Sequence, residues 1–200
     1  MTGLILLSFV PSVGGLLRLI EWGASSDFNF LPQNPRVEQN PIPAIFHLIS
    51  SIPYCILGAF QFLPGIRQRY SNWHRLAGRF LVIAGIVSAV SGLWMTHYYT
   101  FPESLQGELL YVVRIFVSSF MLLFIIRGLT SILQKEVSQH RAWMIRAYAL
   151  AQGAGTQFLI AVPFIAVSGE PAGWVRDVLM TLAWCINIAM AEWIIRKYPV

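Results

Sequence analysis

The chain has 200 residues, of which 56% are hydrophobic and only 12% are charged. Soluble domains carry about 25% charged residues, and a single core of this length could not bury so much apolar surface. The composition therefore predicts an integral membrane protein and argues against a soluble enzyme. The net charge of +5 does not indicate nucleic-acid binding, because the basic residues flank apolar segments instead of sharing one polar face.

Six apolar segments approach the length of about 20 residues that crosses a bilayer. In chain order they are residues 3–21, 43–63, 76–98, 108–130, 142–167 and 173–195. We therefore predict one all-α, polytopic transmembrane domain over residues 1–200. Residues 22–42 are rich in Pro, Asn and Ser, which predicts an irregular polar loop. Pro53 and Pro163 are expected to interrupt the second and fifth spans.

The distribution of Lys and Arg predicts how the spans are oriented. Ten of these residues fall at one end of the spans, namely Arg67, Arg69, Arg75, Arg79, Arg127, Lys135, Arg141, Arg146, Arg196 and Lys197. Four fall at the other end, namely Arg18, Arg36, Arg114 and Arg176. Because the positive end of a span faces the cytoplasm, both termini are expected there, in a multi-pass protein of the cell's inner membrane.

Two similar motifs lie at this positive end. They are "NWHRLAGR" at residues 72–79 and "SQHRAWMIR" at residues 138–146, and each has a His-Arg pair and a further Arg before an apolar segment. Spans two and three and spans four and five therefore form two hairpins of the same orientation, as in a parallel internal repeat. Two unrelated basic segments that only fix the orientation of the spans in the membrane would give the same pattern. The sequence leaves both interpretations open.

These motifs also carry a resemblance to a known family. The segments "IPAIFHLISSIPYCILGAFQFLPGIRQRYSNWHRLAGR" and "QHRAWMIRAYALAQGAGTQF" resemble the bacterial membrane-protein family called domain of unknown function 2306, over about residues 40–165. The positions that match its pattern are His47, Phe60, Gln61, Phe62, Pro64, His74, Arg75, Gly78, His140, Arg141, Trp143, Met144 and Arg146. The resemblance implies a multi-span membrane protein without an established reaction.

The four histidines suggest b-type haem. His74 and His140 would be a ligand pair near the cytoplasmic end of the spans, and His47 and His97 a pair near the outer end. The propionates would be held by arginines of the motifs, namely Arg75, Arg79, Arg141 and Arg146. Against haem, His74 and His140 begin their spans at the membrane interface, and the fourth span has no histidine. Histidines and arginines that only cap helices and bind lipid phosphates are the plainer alternative.

A pocket for a quinone or lipid is the related interpretation. Gly78, Leu81, Gly85, Ser88 and Gly92 follow His74 at helical spacing, and small residues let a helix or a flat ligand approach closely.

Three arginines lie inside the apolar spans, where an unpaired cation costs about 2.5–3.5 kcal/mol. Glu192 is the expected counter-ion of Arg79 or Arg146. Arg114 is expected to pair with Glu108 or Glu103, or to extend toward the outer interface.

A transporter ranks behind ligand binding. Gln61, Gln152, Gln157 and Asn187 place polar atoms within the spans, but no acidic residue lies near the midplane to couple ions. A non-enzymatic structural or interaction protein is the remaining alternative. The sequence lacks a nucleophile–base pair, a phosphate-binding loop, a dinucleotide fingerprint and metal-ligand spacing, so hydrolase or kinase chemistry is not indicated.

Overall fold

A computed structural model describes residues 2–23 and 35–198, and throughout these ranges the regular structure is helical. The helices are α1 (Thr2–Gly23), α2 (Pro35–Gln39), α3 (Ile42–Gln61), α4 (Pro64–Arg69), α5 (Ser71–Tyr98), α6 (Glu108–Leu133), α7 (Val137–Ala151), α8 (Gly153–Ser168) and α9 (Gly173–Lys197). The all-α prediction is confirmed. Of the predicted polar loop 22–42, the start belongs to α1 and residues 35–39 form α2, while residues 24–34 lie outside the described ranges.

Five helices are long and apolar enough to cross a membrane, namely α1, α3, α5, α6 and α9. Helices α7 and α8 pass the same test as a pair bent by 42°, so the described residues contain up to six spans if this pair counts as one. The six predicted apolar segments therefore correspond to five single helices and one bent pair. This polytopic architecture is the one expected from composition.

The helices that carry the His-Arg motifs begin earlier than the apolar segments. Helix α5 begins at Ser71 instead of residue 76, and α7 begins at Val137 instead of residue 142. A hydropathy pattern detects only the apolar part of a helix, so it does not include a first turn made of polar residues. His74 and His140 are consequently the fourth residues of their helices, within the first turn.

The prediction that Pro53 and Pro163 interrupt spans is wrong. Helix α3 continues through Pro53, and α8 continues through Pro163. A proline removes one backbone hydrogen bond, and membrane helices tolerate that loss when neighbouring groups satisfy the freed carbonyl. The fifth span breaks instead at Gln152, between α7 and α8.

The chain divides into two compact units, residues Met1–Thr100 and Phe101–Val200. In the first unit, α3 packs against both α5 and α1. The predicted small-residue stripe of α5 is buried at Leu81, Gly85 and Ser88. The Tyr99 hydroxyl donates a hydrogen bond to the Asn40 carbonyl at 2.7 Å, which joins the end of α5 to the start of α3.

In the second unit, α7 packs against α6 and α9, and α8 packs against α9. The buried side chains at its centre include Ile125 of α6, Ala147 and Tyr148 of α7, and Ala183 of α9. Helix α7 therefore lies between two other helices, and the second His-Arg motif is at its start.

Candidate functional site

The imidazole of His140 is fixed by the backbone of α6. Its Nδ1 lies 2.8 Å from the carbonyl oxygen of Gly128. A carbonyl oxygen can only accept, so Nδ1 carries the proton, and in the neutral ring Nε2 keeps its lone pair. Gly128 also permits close packing of α6 and α7, because a Cβ at this position would lie 2.7 Å from the Met144 sulfur.

The next residues of the motif extend this contact. The Trp143 ring stacks on Phe124 of α6 with centroids 5.6 Å apart. Phe124 stacks in turn on Phe120 at 5.8 Å, and Phe120 on Phe116 at 6.0 Å. Phe116 and Phe120 are exposed. These three phenylalanines form a row, named here the aromatic row, along a face of α6 that begins at the motif.

Arg146 joins the motif to α9. Its Nε donates to Glu192 Oε1 at 2.5 Å and its NH2 to Oε2 at 3.0 Å, a two-pronged ion pair of the kind that arginine forms with carboxylates. The guanidinium also lies 4.7 Å from the centre of the Trp143 ring. The predicted counter-ion role of Glu192 is confirmed, and its partner is Arg146 and not Arg79.

Arg141 differs from Arg146. It follows His140 directly in the first turn of α7 and is half-buried. Within residues 2–23 and 35–198 it has no ion-pair or hydrogen-bond partner for its guanidinium. His140 Nε2 and the Arg141 guanidinium thus have no partner among the described residues, while Trp143, Met144 and Arg146 contact neighbouring helices.

The break in the fifth span is closed by side chains of α9. The Ala149 carbonyl accepts from Asn187 Nδ2 at 3.1 Å, and the Leu150 carbonyl from Trp184 Nε1 at 3.2 Å. Thr156 of α8 donates to Asn187 Oδ1 at 2.7 Å. Asn187, one of the polar residues considered in the transporter interpretation, therefore satisfies backbone groups at the bend.

Gln157 behaves in the same way. Its Nε2 donates to the Met180 carbonyl of α9 at 3.3 Å, so this amide also serves to join two helices. Gln152, at the bend itself, is buried. The polar atoms of this region thus serve the packing of α7, α8 and α9.

Gly153→Ala is expected to destabilise the protein strongly. A Cβ at this position would lie within 2.8 Å of three atoms of the Trp184 indole, whose Nε1 is held by the Leu150 carbonyl. The ring must move or the helices must separate, and overpacking of this kind costs about 1–3 kcal/mol. Gly128→Ala is the matched control, because there the obstruction is the flexible end of Met144. We expect a lower melting temperature in detergent for Gly153→Ala than for Gly128→Ala, and the reverse order would contradict this packing.

In the first unit, His47 of α3 is held by α5. Its Nδ1 lies 3.0 Å from the Ser88 carbonyl and 3.2 Å from Ser91 Oγ. The carbonyl accepts, so Nδ1 again carries the proton. His97 is exposed at the end of α5, with its ring edge-on to Tyr98. The two histidines therefore have unlike surroundings, and the outer haem pair stays a prediction.

The first His-Arg motif is more open than the second. His74 is partly buried, and one turn later Gly78 faces the Gln61 amide of α3, whose Oε1 would lie 3.6 Å from an added Cβ. Arg75 is exposed and donates to Asn72 Oδ1 at 2.6 Å. Arg79 is exposed, and in the described part of the chain it has no ion-pair partner. Of the two arginines considered as partners of Glu192, Arg79 is therefore not the one that forms the ion pair.

The two motifs belong to different units. His74 lies in the first and His140 in the second. A site that both histidines share therefore stays a prediction. No cluster of three or more His, Cys, Asp or Glu side chains suited to a metal ion occurs within the described ranges.

The sequence reasoning missed Asp177, a buried carboxylate of α9. Its Oδ1 accepts from the Gly107 N–H and its Oδ2 from the Leu110 N–H, both at 3.1 Å. These donors lie at the N-terminus of α6, where backbone N–H groups lack partners within the helix. A Cβ at Gly107 would lie 2.6 Å from Oδ2, which explains the glycine. A glycine directly before a span was the signal in the sequence.

Arg114 reaches back past the start of α6, which agrees with the expected extension toward one end of the span. It donates to the Gln106 side chain and lies 5.1 Å from the centre of the Phe101 ring. The expected partners Glu103 and Glu108 are exposed. A nearby amide and an aromatic face therefore stabilise this cation.

Comparison with known proteins identifies the family. Residues 44–195 match the model of a family described as "Predicted membrane protein (DUF2306)". The chain belongs to this family. The match extends beyond residues 40–165, which carry the resemblance in sequence, and includes Asp177 and Glu192 of α9. No curated protein and no solved structure matches the chain.

Proposed function

We propose that this DUF2306 protein binds a lipid-soluble ligand of the quinone class at His140 and Arg141. The observation that carries the proposal is the hydrogen bond from His140 Nδ1 to the Gly128 carbonyl. It directs the proton to Nδ1 and leaves Nε2 of the neutral ring as an acceptor. Arg141 is the next residue of α7, and its guanidinium has no intramolecular partner in the described ranges.

This pair of groups suits both redox forms of a quinone. A quinone has carbonyl oxygens that accept hydrogen bonds, and Arg141 can only donate. A quinol has hydroxyl groups that donate, and Nε2 of His140 can accept. Trp143 of α7 stacks on Phe124, the nearest ring of the aromatic row on α6. The exposed rings of that row, Phe116 and Phe120, offer an apolar surface for the ring or the tail of a quinone.

Haem b is the second candidate, and it is favoured by the same hydrogen bond. A histidine that binds a metal usually donates its other ring N–H to a carbonyl or a carboxylate, as His140 does. Arg141 would then pair with a propionate. The second unit contains one histidine and so supplies one axial ligand by itself. Quinone binding needs no second histidine, and for that reason we place it first.

One preparation tests both candidates. The protein is purified in mild detergent, its absorption is recorded oxidised and dithionite-reduced, and an organic extract is analysed for quinones. We expect no Soret band and about one quinone per chain, lost in His140→Gln and Arg141→Gln but retained in His97→Gln. A Soret band that shifts on reduction would show that the bound ligand is haem and not a quinone. A preparation with neither ligand contradicts both candidates.

We further propose that the protein resides in the cell's inner membrane with both termini in the cytoplasm. The support is the asymmetry of Lys and Arg between the two ends of the spans. Reporter fusions after residues 70, 137 and 200 should show a cytoplasmic location, and fusions near residues 30, 103 and 170 the opposite side. A cytoplasmic signal near residue 103 would overturn this orientation, because that position separates two of the strongest spans.

A further inference from the structure

Four arginines of the first unit lie at one end of α3 and α5. Arg67 and Arg69 belong to α4, which connects these helices, and Arg75 and Arg79 lie one turn apart in α5. All four are exposed. They are named here the arginine cluster.

Within residues 2–23 and 35–100 of the first unit, no acidic side chain can neutralise the arginine cluster. Residues 39–102 contain no Asp or Glu. The acids of this unit in residues 2–23 and 35–100 are Glu21 and Glu38, and Glu21 is paired with Arg18. Glu38 precedes the start of α3, whereas the cluster follows its end, and the 20 residues of α3 separate these ends by about 30 Å.

Glu21 is also at the far end. Helix α1 runs antiparallel to α3, because Gly15 packs on Leu48 and Ile52 while Ser8 approaches the Cys55 carbonyl. The end of α1 is therefore near the start of α3. The arginine cluster therefore needs an anion other than the acids in the described part of the unit.

The neighbours of the arginines are typical of a membrane interface. Tyr70 and Trp73 are exposed, and amphipathic aromatic rings are enriched at the headgroup level. Leu76 and Phe80 are also exposed, and they flank Arg79 within the apolar part of α5. A cation placed between apolar side chains that face lipid acyl chains is costly unless an anion reaches the same depth.

We propose that the arginine cluster binds the headgroup of an anionic phospholipid. The phosphate of such a lipid lies at the interface, at the depth of Arg75 and Arg79, and guanidinium groups bind phosphate oxygens in a two-pronged way. The acyl chains then cover Leu76 and Phe80. The interaction is separate from ligand binding at His140, which lies in the second unit.

The test uses the full-length protein in a neutral detergent, with lipid binding followed by native mass spectrometry. Phosphatidylglycerol is titrated against phosphatidylcholine. Each basic residue near an anionic surface contributes about five-fold, so Arg75→Gln/Arg79→Gln should bind phosphatidylglycerol roughly 20-fold more weakly, with phosphatidylcholine unchanged. Arg127→Gln is the matched control, because Arg127 is an exposed arginine of α6 outside the cluster.

Several results would overturn the proposal. Equal loss of binding in Arg127→Gln would show a general charge effect, and unchanged binding in the double variant would exclude the cluster. Competition by millimolar inorganic phosphate would assign the site to a soluble anion instead of a lipid. If the double variant fails to fold, Arg67→Gln/Arg69→Gln in the connecting helix replaces it. Arg75→Lys/Arg79→Lys keeps both charges but loses the two-pronged contact, so its binding of phosphatidylglycerol should lie between that of the wild type and that of the glutamine double variant.

Discussion

Asp177→Ala is expected to lower the free energy of unfolding by about 3 kcal/mol, since each hydrogen bond to a charged group contributes about 1.5–3 kcal/mol. The side chain is 1% exposed. It accepts hydrogen bonds from the Gly107 and Leu110 N–H groups, which begin α6. Alanine leaves both donors without an acceptor and removes a negative charge from the positive end of the helix dipole. We expect a loss of that size in SDS titrations of the purified protein.

Two controls separate the loss of the hydrogen bonds between Asp177 and the start of α6 from a general effect of removing a charge. Asp177→Asn keeps one acceptor oxygen and should recover about half of the loss. Glu108→Ala also removes an acid from the first turn of α6, but Glu108 is exposed, and the change should cost less than about 0.5 kcal/mol. Equal losses in Asp177→Ala and Glu108→Ala would show that the buried cap has no special role.

Breaking the ion pair between Arg146 and Glu192 is expected to cost about 2 kcal/mol in either single variant, Arg146→Gln or Glu192→Gln. The remaining charge would lie within the apolar part of the second unit without its partner. The side chains are 21% and 31% exposed, so the loss is smaller than for a fully buried pair. Unfolding in SDS measures each loss.

A double-mutant cycle shows whether the two residues act through each other. The double variant Arg146→Gln/Glu192→Gln should lose less than the sum of the single variants, with a coupling of about 1–2 kcal/mol. Glu136→Gln is a suitable control, because Glu136 is an exposed acid just before α7. Additive losses in the cycle would contradict the pairing.

The sequence predicts the spans well because hydrophobic length is a property of each segment by itself. It also predicts the pairing of Glu192 with an arginine, because few acids lie near that end of the spans. The choice between Arg79 and Arg146 depends on which helix packs against α9, and this follows only from the fold. Arg79 instead lies exposed in the first unit.

Two of the contacts that sequence reasoning missed join residues that are distant along the chain. Asp177 lies 67 residues from Leu110 and Trp184 lies 34 residues from Leu150. The bend at Gln152 is of this kind, since the side chains that satisfy its carbonyls come from α9. A proline is visible in the sequence, whereas a partner on another helix is not, and for that reason the break was expected at Pro163.

The most direct test of the proposed ligand site is the tautomer of His140. Long-range ¹⁵N–¹H correlation spectra of protein labelled with ¹⁵N-histidine report which ring nitrogen is protonated, and His140→Gln assigns the signals. The hydrogen bond to the Gly128 carbonyl predicts a proton on Nδ1, and the proposed ligand site requires a lone pair on Nε2. A ring protonated on Nε2 and bare on Nδ1 would contradict that hydrogen bond and the ligand site built on it.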